Sequence, residues 1–406
     1  MRNGTILALS CCALSGVAAC TPQLVDASGD GLLQVVAGIS ESRSSTGDDA
    51  AEPEVVRVAD ENGTSVLSGR VVARGEYQLF ELGAGHAGES WLVTDARVSL
   101  GRSPFAVALF DGNFELLRRD AVHADLPLEH VLRADADVLY LGVMPLPGNA
   151  GGDFEFEVTH EPGHAIPSAA PQLVWLNFGG ASDVSVHARR GLSFGAFEAG
   201  MLGPAYADAT AEIRAALVAT MREDYAGYNV TITTSEEGPA PVEPHATIHF
   251  GANDDRLLGL ADNVDQYNED PWQTAVIYVE GFADFAVMGL SVEEMGQMVG
   301  NVASHELGHL LGLFHTQAPA DVMDTTGTAW DLAGNQLFSR ADLEASVFPY
   351  GYLNCPQRLA ETVGHSATKP LAKAIQPERM ARKAGLRALV RQELRGRCAT
   401  CLHLDD

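Results

Sequence analysis

Two residue types are scarce in this chain, and each shortage narrows what the protein can be. No cysteine lies between residues 21 and 354, so the large central part of the chain holds no disulfide bond. Only three of the 406 residues are lysine, and all three lie beyond residue 355. Residues 20–354 consequently carry a net charge of −34, against −28 for the whole chain. Such an acidic body disfavours nucleic acid as a partner, because nucleic-acid binding depends on neutralising phosphates. It is typical of the solvated surface of a secreted protein.

A chain of this length is expected to contain two or three domains, each able to bury a core. Residues 1–19 have the pattern of a signal peptide: a short positive start, then an apolar run at 5–17 that is too short to span a membrane. Val17-Ala18-Ala19-Cys20 resembles a bacterial lipobox. The resemblance implies a lipid on Cys20 and, since Thr21 is not Asp, an outer-membrane lipoprotein of the bacterial cell envelope. The alternative is a plain secretory signal and an extracellular protein.

Residues 20–53 are a polar stretch that cannot bury much apolar surface, which predicts a flexible tether. The next segment, 54–160, contains short alternating runs at 66–72, 77–80, 91–93, 105–110, 138–143 and 154–158. Many short strands at such spacing predict an all-β sandwich. Residues 161–170, with proline, glycine and serine, are expected to form a linker.

The strand sequences of this β segment also carry a resemblance. The succession G-E-Y-Q-L-F, A-L-F-D-G-N, L-Y-L-G-V and F-E-F-E-V is similar to that of the jelly-roll pre-peptidase domains found beside bacterial secreted proteases. The resemblance implies a non-catalytic accessory role in substrate attachment or folding. A simple spacer is the alternative.

Residues 171–354 contain both strand and helix patterns. The apolar run at 173–178 is expected of a buried strand, and the apolar spacing at 205–225 predicts a helix. Further strands are predicted at 228–234, 247–250, 257–261 and 275–279. Ser291-Val292-Glu293-Glu294 has the form of a capping box, which predicts the start of a helix that ends at Gly312.

The end of that helix carries the motif His305-Glu306-x-x-His309-x-x-Gly312-x-x-His315. His305 and His309 are four residues apart, so they share one helix face and can bind one metal ion. Gly312 can adopt the positive φ that ends a helix and turns the chain, which brings in His315 as a third imidazole. Three neutral imidazoles and one open position are typical of catalytic zinc, which lowers the pKa of its water to about 7, so that Glu306 can take the proton. A core helix without metal is the alternative, and the matched positions of this zincin pattern disfavour it.

Residues 305–323 resemble the metzincin metallopeptidases in detail, and residues 171–354 resemble them in element order. The resemblance implies an α+β catalytic domain with a mixed, twisted sheet that carries the zinc-binding helix. It also implies a set of roles: zinc ligands His305, His309 and His315, general base and acid Glu306, and a hydrophobic floor under the zinc, Met323. Thr316, the residue after the third histidine, resembles the matrixin group. Thr325 stands where astacin-like and serralysin-like members have a tyrosine.

The resemblance further implies that an edge strand, here 257–261, pairs with an extended peptide substrate. A zinc-bound water activated by Glu306 would attack the peptide carbonyl, and Glu306 would pass the proton to the leaving amine. Residues 317–340, with Trp330 the largest among them, would wall the pocket for the side chain after the cut, and 340–348 would form a closing helix. We therefore expect a monomeric zinc endopeptidase acting on protein or peptide substrates. The alternatives are an envelope-anchored binding protein with a latent or vestigial peptidase domain and a zinc hydrolase of non-peptide bonds.

Two further features leave alternatives open. His245 and His249, followed by acidic residues between 254 and 270, suit a second metal ion, calcium or zinc, or else belong to solvated loops. Residues 355–406 form a basic tail with ten Lys/Arg, which either docks on anionic lipid or on the acidic body or is a solvated helix. The tail cysteines allow a disulfide or, with His403, a metal site: Cys355, Cys398 and Cys401.

Overall fold

The computed structural model describes residues 54–58, 63–72, 75–96, 105–123, 126–251, 253–254 and 256–367. The predicted signal peptide, Cys20, the tether and the tail beyond residue 367 lie outside the described residues. Within these ranges, no helix is both long and apolar enough to cross a membrane.

The N-terminal part is built from β-strands alone. Its strands are β1 (Val55–Arg57), β2 (Thr64–Val71), β3 (Gln78–Gly85), β4 (Ser90–Asp95), β5 (Phe105–Phe110), β6 (Leu116–Val122), β7 (Leu128–Val131), β8 (Ala136–Pro145) and β9 (Gly152–Glu161). One sheet has the order β1-β3-β8-β5-β6 and the other the order β2-β9-β4-β7. Side chains from both sheets share one core, where the ring centroids of Phe105 and Phe154 lie 5.7 Å apart. The prediction of a β-rich N-terminal part is confirmed.

The alternating pattern did not predict β6, and the reason lies in what the strand contacts. Its sequence is L-L-R-R-D-A-V, in which the charged residue Arg119 is only 3% exposed because it packs against the C-terminal part of the chain. A strand whose buried positions include an arginine does not show apolar alternation. β1 and β7 are short, with three and four residues, and were missed as well.

The C-terminal part combines strands and helices. Its strands are β10 (Gln172–Asn177), β11 (Ala181–Val186), β12 (Arg189–Phe194), β13 (Val230–Thr234), β14 (Ala246–Gly251), β15 (Gly259–Ala261), β16 (Thr274–Tyr278), β17 (Arg340–Asp342) and β18 (Tyr352–Asn354). Its helices are α1 (Thr210–Asp224), α2 (Val292–Leu310), α3 (Ala329–Leu332) and α4 (Cys355–Val363), with 3₁₀ segments at Ala199–Leu202, Pro204–Tyr206 and Val279–Met288. The main sheet has the order β13-β10-β14-β16-β15. Only β15, at one edge, runs antiparallel to its neighbour, so this part is α+β with a mixed sheet.

Helix α2 begins where the sequence predicts. The Ser291 hydroxyl accepts a hydrogen bond from the backbone N–H of Glu294 (3.1 Å), and the Glu294 carboxylate accepts one from the N–H of Ser291 (3.0 Å). The helix then crosses α1 closely, because a Cβ on Gly300 would lie only 3.0 Å from the carbonyl oxygen of Leu217. Cap and crossing together fix the helix that carries the histidine motif.

The prediction of a closing helix at 340–348 is wrong. Residues Arg340–Asp342 form β17, which pairs antiparallel with β18. The last described helix is α4, which is capped by the Asn354 side chain. Pro356 lies in its first turn, where backbone N–H groups have no partner within the helix, so proline loses no hydrogen bond there. The tail predicted from residue 355 therefore starts with a helix that belongs to the core, since five of its side chains are buried: Cys355, Arg358, Leu359, Thr362 and Val363.

The two parts pack against each other through a continuous apolar core. The rings of Phe110 and Phe348 lie 5.3 Å apart, centroid to centroid. A side chain on Gly142 would collide with the Phe348 ring, which a built Cβ would approach to 2.4 Å. The connecting chain at 162–171 is exposed and forms neither helix nor strand. The packing between the two parts, rather than this connection, therefore fixes their relative position.

His130 on β7 lies in the contact between the two parts, and we expect it to make the stability of the fold depend on pH. Burial and the charges of Arg358, Arg118 and Arg133 lower its pKa to about 3. The unfolded chain takes up this proton near pH 6.5 and the folded chain only near pH 3, so stability is lost as pH falls below about 6.5. We expect His130→Phe to remove about 2 kcal/mol of the loss between pH 7 and pH 5, measured by urea unfolding at both values. His164→Phe, at an exposed site, should keep the pH dependence of the parent, and an unchanged slope in His130→Phe would assign the effect elsewhere.

Candidate metal centre

Three imidazoles meet at the C-terminal end of α2. The Nε2 atom of His309 lies 3.1 Å from Nε2 of His305 and 3.0 Å from Nε2 of His315. Within the described part of the chain, these residues are the only group of three or more potential ligands that could hold a metal ion. The structure thus brings together the three histidines that the sequence pattern singles out.

The turn at Gly312 makes this meeting possible. Its φ is 86°, a left-handed conformation that favours glycine, and its N–H donates to the carbonyl of His309 (2.9 Å). A Cβ at this position would lie 2.9 Å from backbone atoms of residues 265–267. Glycine is therefore needed here for its conformation and for the close approach of a second chain segment.

Backbone carbonyls orient the first two imidazoles. Nδ1 of His305 lies 2.8 Å from the carbonyl oxygen of Val322, and Nδ1 of His309 lies 2.8 Å from that of Leu313. A carbonyl oxygen only accepts, so in each ring Nδ1 carries the proton and Nε2 keeps its lone pair. Burial lowers the pKa of His305 to about 4 and that of His309 to about 3, and burial together with these two neighbours lowers the pKa of His315 well below its usual range. All three rings are neutral near pH 7, which is the form that binds metals.

The donor set fits zinc. Lone pairs of Nε2 atoms that face each other at 3.0 and 3.1 Å repel unless a cation lies between them. A tetrahedral zinc ion with Zn–N bonds of about 2.05 Å separates its nitrogen ligands by about 3.3 Å, close to this spacing. Three histidine ligands leave the fourth position open, as in catalytic zinc sites.

Glu306 lies between α2 and the edge strand β15. Its side chain is 4% exposed, the backbone N–H of Ala261 bonds to its carboxylate, and burial raises its pKa to about 8. A Cβ on Gly259 would lie 2.4 Å from Oε1 of Glu306, so glycine leaves room for the carboxylate. Oε2 of Glu306 is buried and has no hydrogen-bond partner among the described residues. A buried acceptor of this kind beside three imidazoles is suited to bind a proton or a polar ligand.

Met323 lies against the same helix. It is fully buried, and a Cβ on Gly308 would lie 2.5 Å from its sulfur. Its N–H donates to a carboxylate oxygen of Asp321 (2.7 Å), which also accepts from the Thr316 hydroxyl (3.3 Å). Asp321 thus links Thr316, the residue after the third histidine, to the segment that contains Met323. Burial raises the pKa of the Asp321 carboxyl.

Sequence reasoning missed Gly259 and Asp321 as members of this site. Gly259 gives no sequence signal, because its importance depends on Glu306, 47 positions along the chain. Asp321 offers a weak signal: it is an acidic residue in the run A-D-V-M, directly before a predicted buried methionine. Trp330, predicted as a pocket residue, lies partly buried on α3 against the main core.

The predicted second metal site has no counterpart among the described residues. His249 Nδ1 lies 3.0 Å from the side-chain nitrogen of Asn177, and His245 packs against Trp272. The acidic residues that follow bind protein groups instead: Asp254 pairs with Arg189, Asp262 with backbone N–H groups of His187 and Thr274, and Asp265 with those of Glu269 and Asp270.

The comparisons with known proteins agree with this site. Residues 231–345 match the profile of the matrixin family of peptidases, and that range contains all three histidines, Glu306 and Met323. The match covers less than half of the chain. It supports a metzincin-like metallopeptidase, and the matrixin family implies zinc. No curated protein matches the chain.

Solved structures resemble only parts of the chain and only weakly. A periplasmic inhibitor of g-type lysozyme, PliG from Aeromonas hydrophila, has 17% identity, covers 26% of this chain and 96% of its own, and has a TM-score of 0.22. The pre-peptidase C-terminal domain of a collagenase from Bacillus anthracis has 11% identity, covers 28% of this chain and 100% of its own, and has a TM-score of 0.20. Likenesses at these TM-scores carry no argument about function.

Proposed function

We propose that this protein is a zinc-dependent endopeptidase. The observation that carries the proposal is the convergence of three neutral imidazoles, with His305 and His309 oriented by carbonyls, beside a buried carboxylate. His305, His309 and His315 would hold the metal. When bound there, zinc would supply Lewis acidity toward a substrate carbonyl and toward water.

Glu306 has the position and the chemistry of a general base and acid. The Ala261 N–H holds its carboxylate at the edge strand, and Oε2 is available as an acceptor within the described part of the chain. Glu306 would take a proton from the attacking water and deliver it to the leaving amine. Burial raises the proton affinity of this carboxylate, which favours its uptake of a proton from water.

The shape of the sheet favours a peptide as substrate. β15 is the edge strand of the main sheet, and the carboxylate of Glu306 lies directly against it. An extended peptide can add to such an edge through backbone hydrogen bonds, which places its carbonyls beside the histidines. Such pairing with the edge strand requires a substrate with a peptide backbone, so it favours an endopeptidase over a hydrolase of non-peptide bonds.

Metal removal should abolish the activity. We expect the purified chain to hold about one zinc ion, to lose cleavage of a mixed peptide library on treatment with a chelator, and to regain it when zinc is added back. His309→Ala should neither retain zinc nor cleave, whereas His164→Ala, at an exposed histidine, should do both. Zinc binding without any cleavage would favour the binding-protein alternative, and a folded parent without zinc would exclude the metal centre.

The proposal extends to the rest of the chain. We propose that the N-terminal β part is an accessory domain of the jelly-roll type, that the chain is exported, and that a lipid on Cys20 anchors it to the bacterial outer membrane. Cys20→Ser should then abolish incorporation of labelled fatty acid and release the protein from the membrane fraction. Equal labelling of parent and variant would show that Cys20 is not the anchor.

A further inference from the structure

The N-terminal β part reaches the metal centre through a short segment that we call the bridging loop, residues 265–268. On one side the loop binds β6, which is an edge strand of its sheet. The Gln266 side chain donates to the carbonyl of Arg119 (2.7 Å) and accepts from its N–H (2.9 Å), and the Tyr267 hydroxyl donates to the carbonyl of Leu117 (3.0 Å). Gln266 therefore completes the backbone bonding of a strand edge, as a neighbouring strand would.

On its other side the bridging loop contacts the turn between the metal ligands. The N–H of Asp265 donates to the carbonyl of His309 (3.0 Å). A Cβ on Gly312 would lie 2.9 Å from the carbonyl oxygen of Asp265, from Cα of Gln266 and from the nitrogen of Tyr267. The same few residues thus touch β6 and the Gly312 turn, with no intervening layer.

The bridging loop has an unusual backbone that several contacts maintain. Tyr267 has φ 71° and Asn268 has φ 54°, left-handed values that cost free energy for residues other than glycine. The guanidinium carbons of Arg133 and Arg358 lie 4.1 Å and 4.4 Å from the centroid of the Tyr267 ring. Since Arg133 belongs to the N-terminal part and Arg358 to α4, both parts hold the loop in this conformation.

Arg119 provides a second route from β6 to the same ligand segment. Its guanidinium lies 5.9 Å from the ring centroid of Phe314, which directly precedes His315. Its Nε donates to the carbonyl of Val347 (2.7 Å). The segment before Val347 in turn contacts the third ligand, because the N–H of Glu344 donates to the carbonyl of His315 (3.0 Å). The N-terminal part thus supports the third histidine from two directions.

We propose that Gln266 and Arg119 are positioning residues of the metal centre, through which the N-terminal β part holds the turn from His309 to His315 in its metal-binding shape. The inference rests on the proposed zinc site and adds a function for the β part. Neither a spacer nor a freely jointed accessory domain would make these contacts. The β part is then a fixed component of the active site, although it contributes no ligand.

The test compares two variants of the full-length chain. Gln266→Leu keeps the volume of the side chain and removes its three hydrogen bonds to β6, two with the backbone of Arg119 and one with the carboxylate of Asp120. Glu115→Gln is the matched control, since Glu115 pairs with Arg340 between the same two parts and contacts neither the bridging loop nor Phe314. Zinc affinity is measured by competition with a chromophoric chelator, and the cobalt-substituted protein reports coordination geometry through its visible spectrum. Melting temperatures of the metal-free proteins report stability separately.

We expect Gln266→Leu to weaken zinc binding about 10-fold, as is usual for residues that orient metal ligands, and to change the cobalt spectrum. Glu115→Gln should alter neither. Gln266→Leu with unchanged affinity and spectrum, even with a lower melting temperature, would overturn the inference and leave the β part a purely structural support. If Gln266→Leu does not fold, Tyr267→Phe decides by the same measurements, since it removes the hydroxyl that bonds the Leu117 carbonyl and the Arg133 side chain and keeps the ring. A parent that binds zinc but cleaves nothing would overturn the peptidase proposal without touching this inference.

Discussion

Replacing Glu306 by Gln is expected to lower kcat/KM for peptide cleavage about 10³-fold, with zinc retained at about one ion per chain. The amide has nearly the shape of the carboxylate but cannot accept a proton from water or deliver one to the leaving amine. The imidazoles of His305 and His309 keep their orientation, because their hydrogen-bond partners are the carbonyls of Val322 and Leu313 rather than Glu306. The measurement is kcat/KM and metal content for parent and variant side by side.

Glu293→Gln is the matched control, because Glu293 is an exposed residue in the first turn of the same helix. Its kcat/KM should equal that of the parent. If Glu306→Gln retained full activity, another group would have to move the proton, and our assignment of Glu306 would be wrong. If the variant lost zinc together with activity, the role of Glu306 would be to support the site rather than to transfer protons.

Gly312→Ala should have the largest effect on stability. The residue has φ 86°, and the added Cβ would lie 2.9 Å from three backbone atoms of residues 265–267. Backbone atoms cannot move aside as the end of a side chain can, so strain and displacement add up to about 3 kcal/mol or more. We expect the melting temperature to fall by about 6–12 °C and zinc to be lost, because the displaced turn no longer brings His315 to the other ligands.

Gly289→Ala separates the cost of the left-handed backbone conformation from the cost of the contact with residues 265–267. Gly289 also has a left-handed conformation, with φ 63°, but a Cβ there would meet no atom within 4 Å. Its substitution should cost only the conformational penalty, about 1 kcal/mol, and leave zinc content unchanged. Equal losses of stability in the two variants would mean that the contact of Gly312 with the bridging loop contributes nothing to stability.

Much of the site could be predicted because its parts are close in sequence. Two ligands four residues apart share a helix face, and a glycine three residues later turns the chain toward a third. The helix that carries them begins at a capping box made by Ser291 and Glu294, which is also local. Strands with a clear apolar run, such as β5, were predicted to the residue.

The strands and helices that the sequence did not reveal depend on contacts with distant parts of the chain. The hairpin of β11 and β12 covers the outer face of β15 and β16 with a small apolar cluster, too few residues to produce a clear period. β6 carries a buried arginine because its partner surface lies in the C-terminal part. The helix expected at 340–348 forms instead at α4, where Asn354 and Pro356 supply the start that residues 340–348 lack.

The sequence by itself determined which three histidines meet, the neighbouring carboxylate, the start of the helix that carries them and the β-rich character of the N-terminal part. These features follow from periodicity, caps and spacing, which act over a few residues. The tertiary structure alone decided that Gly259 lies against Glu306, that Asp321 ties Thr316 to Met323, and that the bridging loop joins β6 to the Gly312 turn. Such contacts join segments far apart in the chain, and they form only when both surfaces have folded and packed, which no local pattern records.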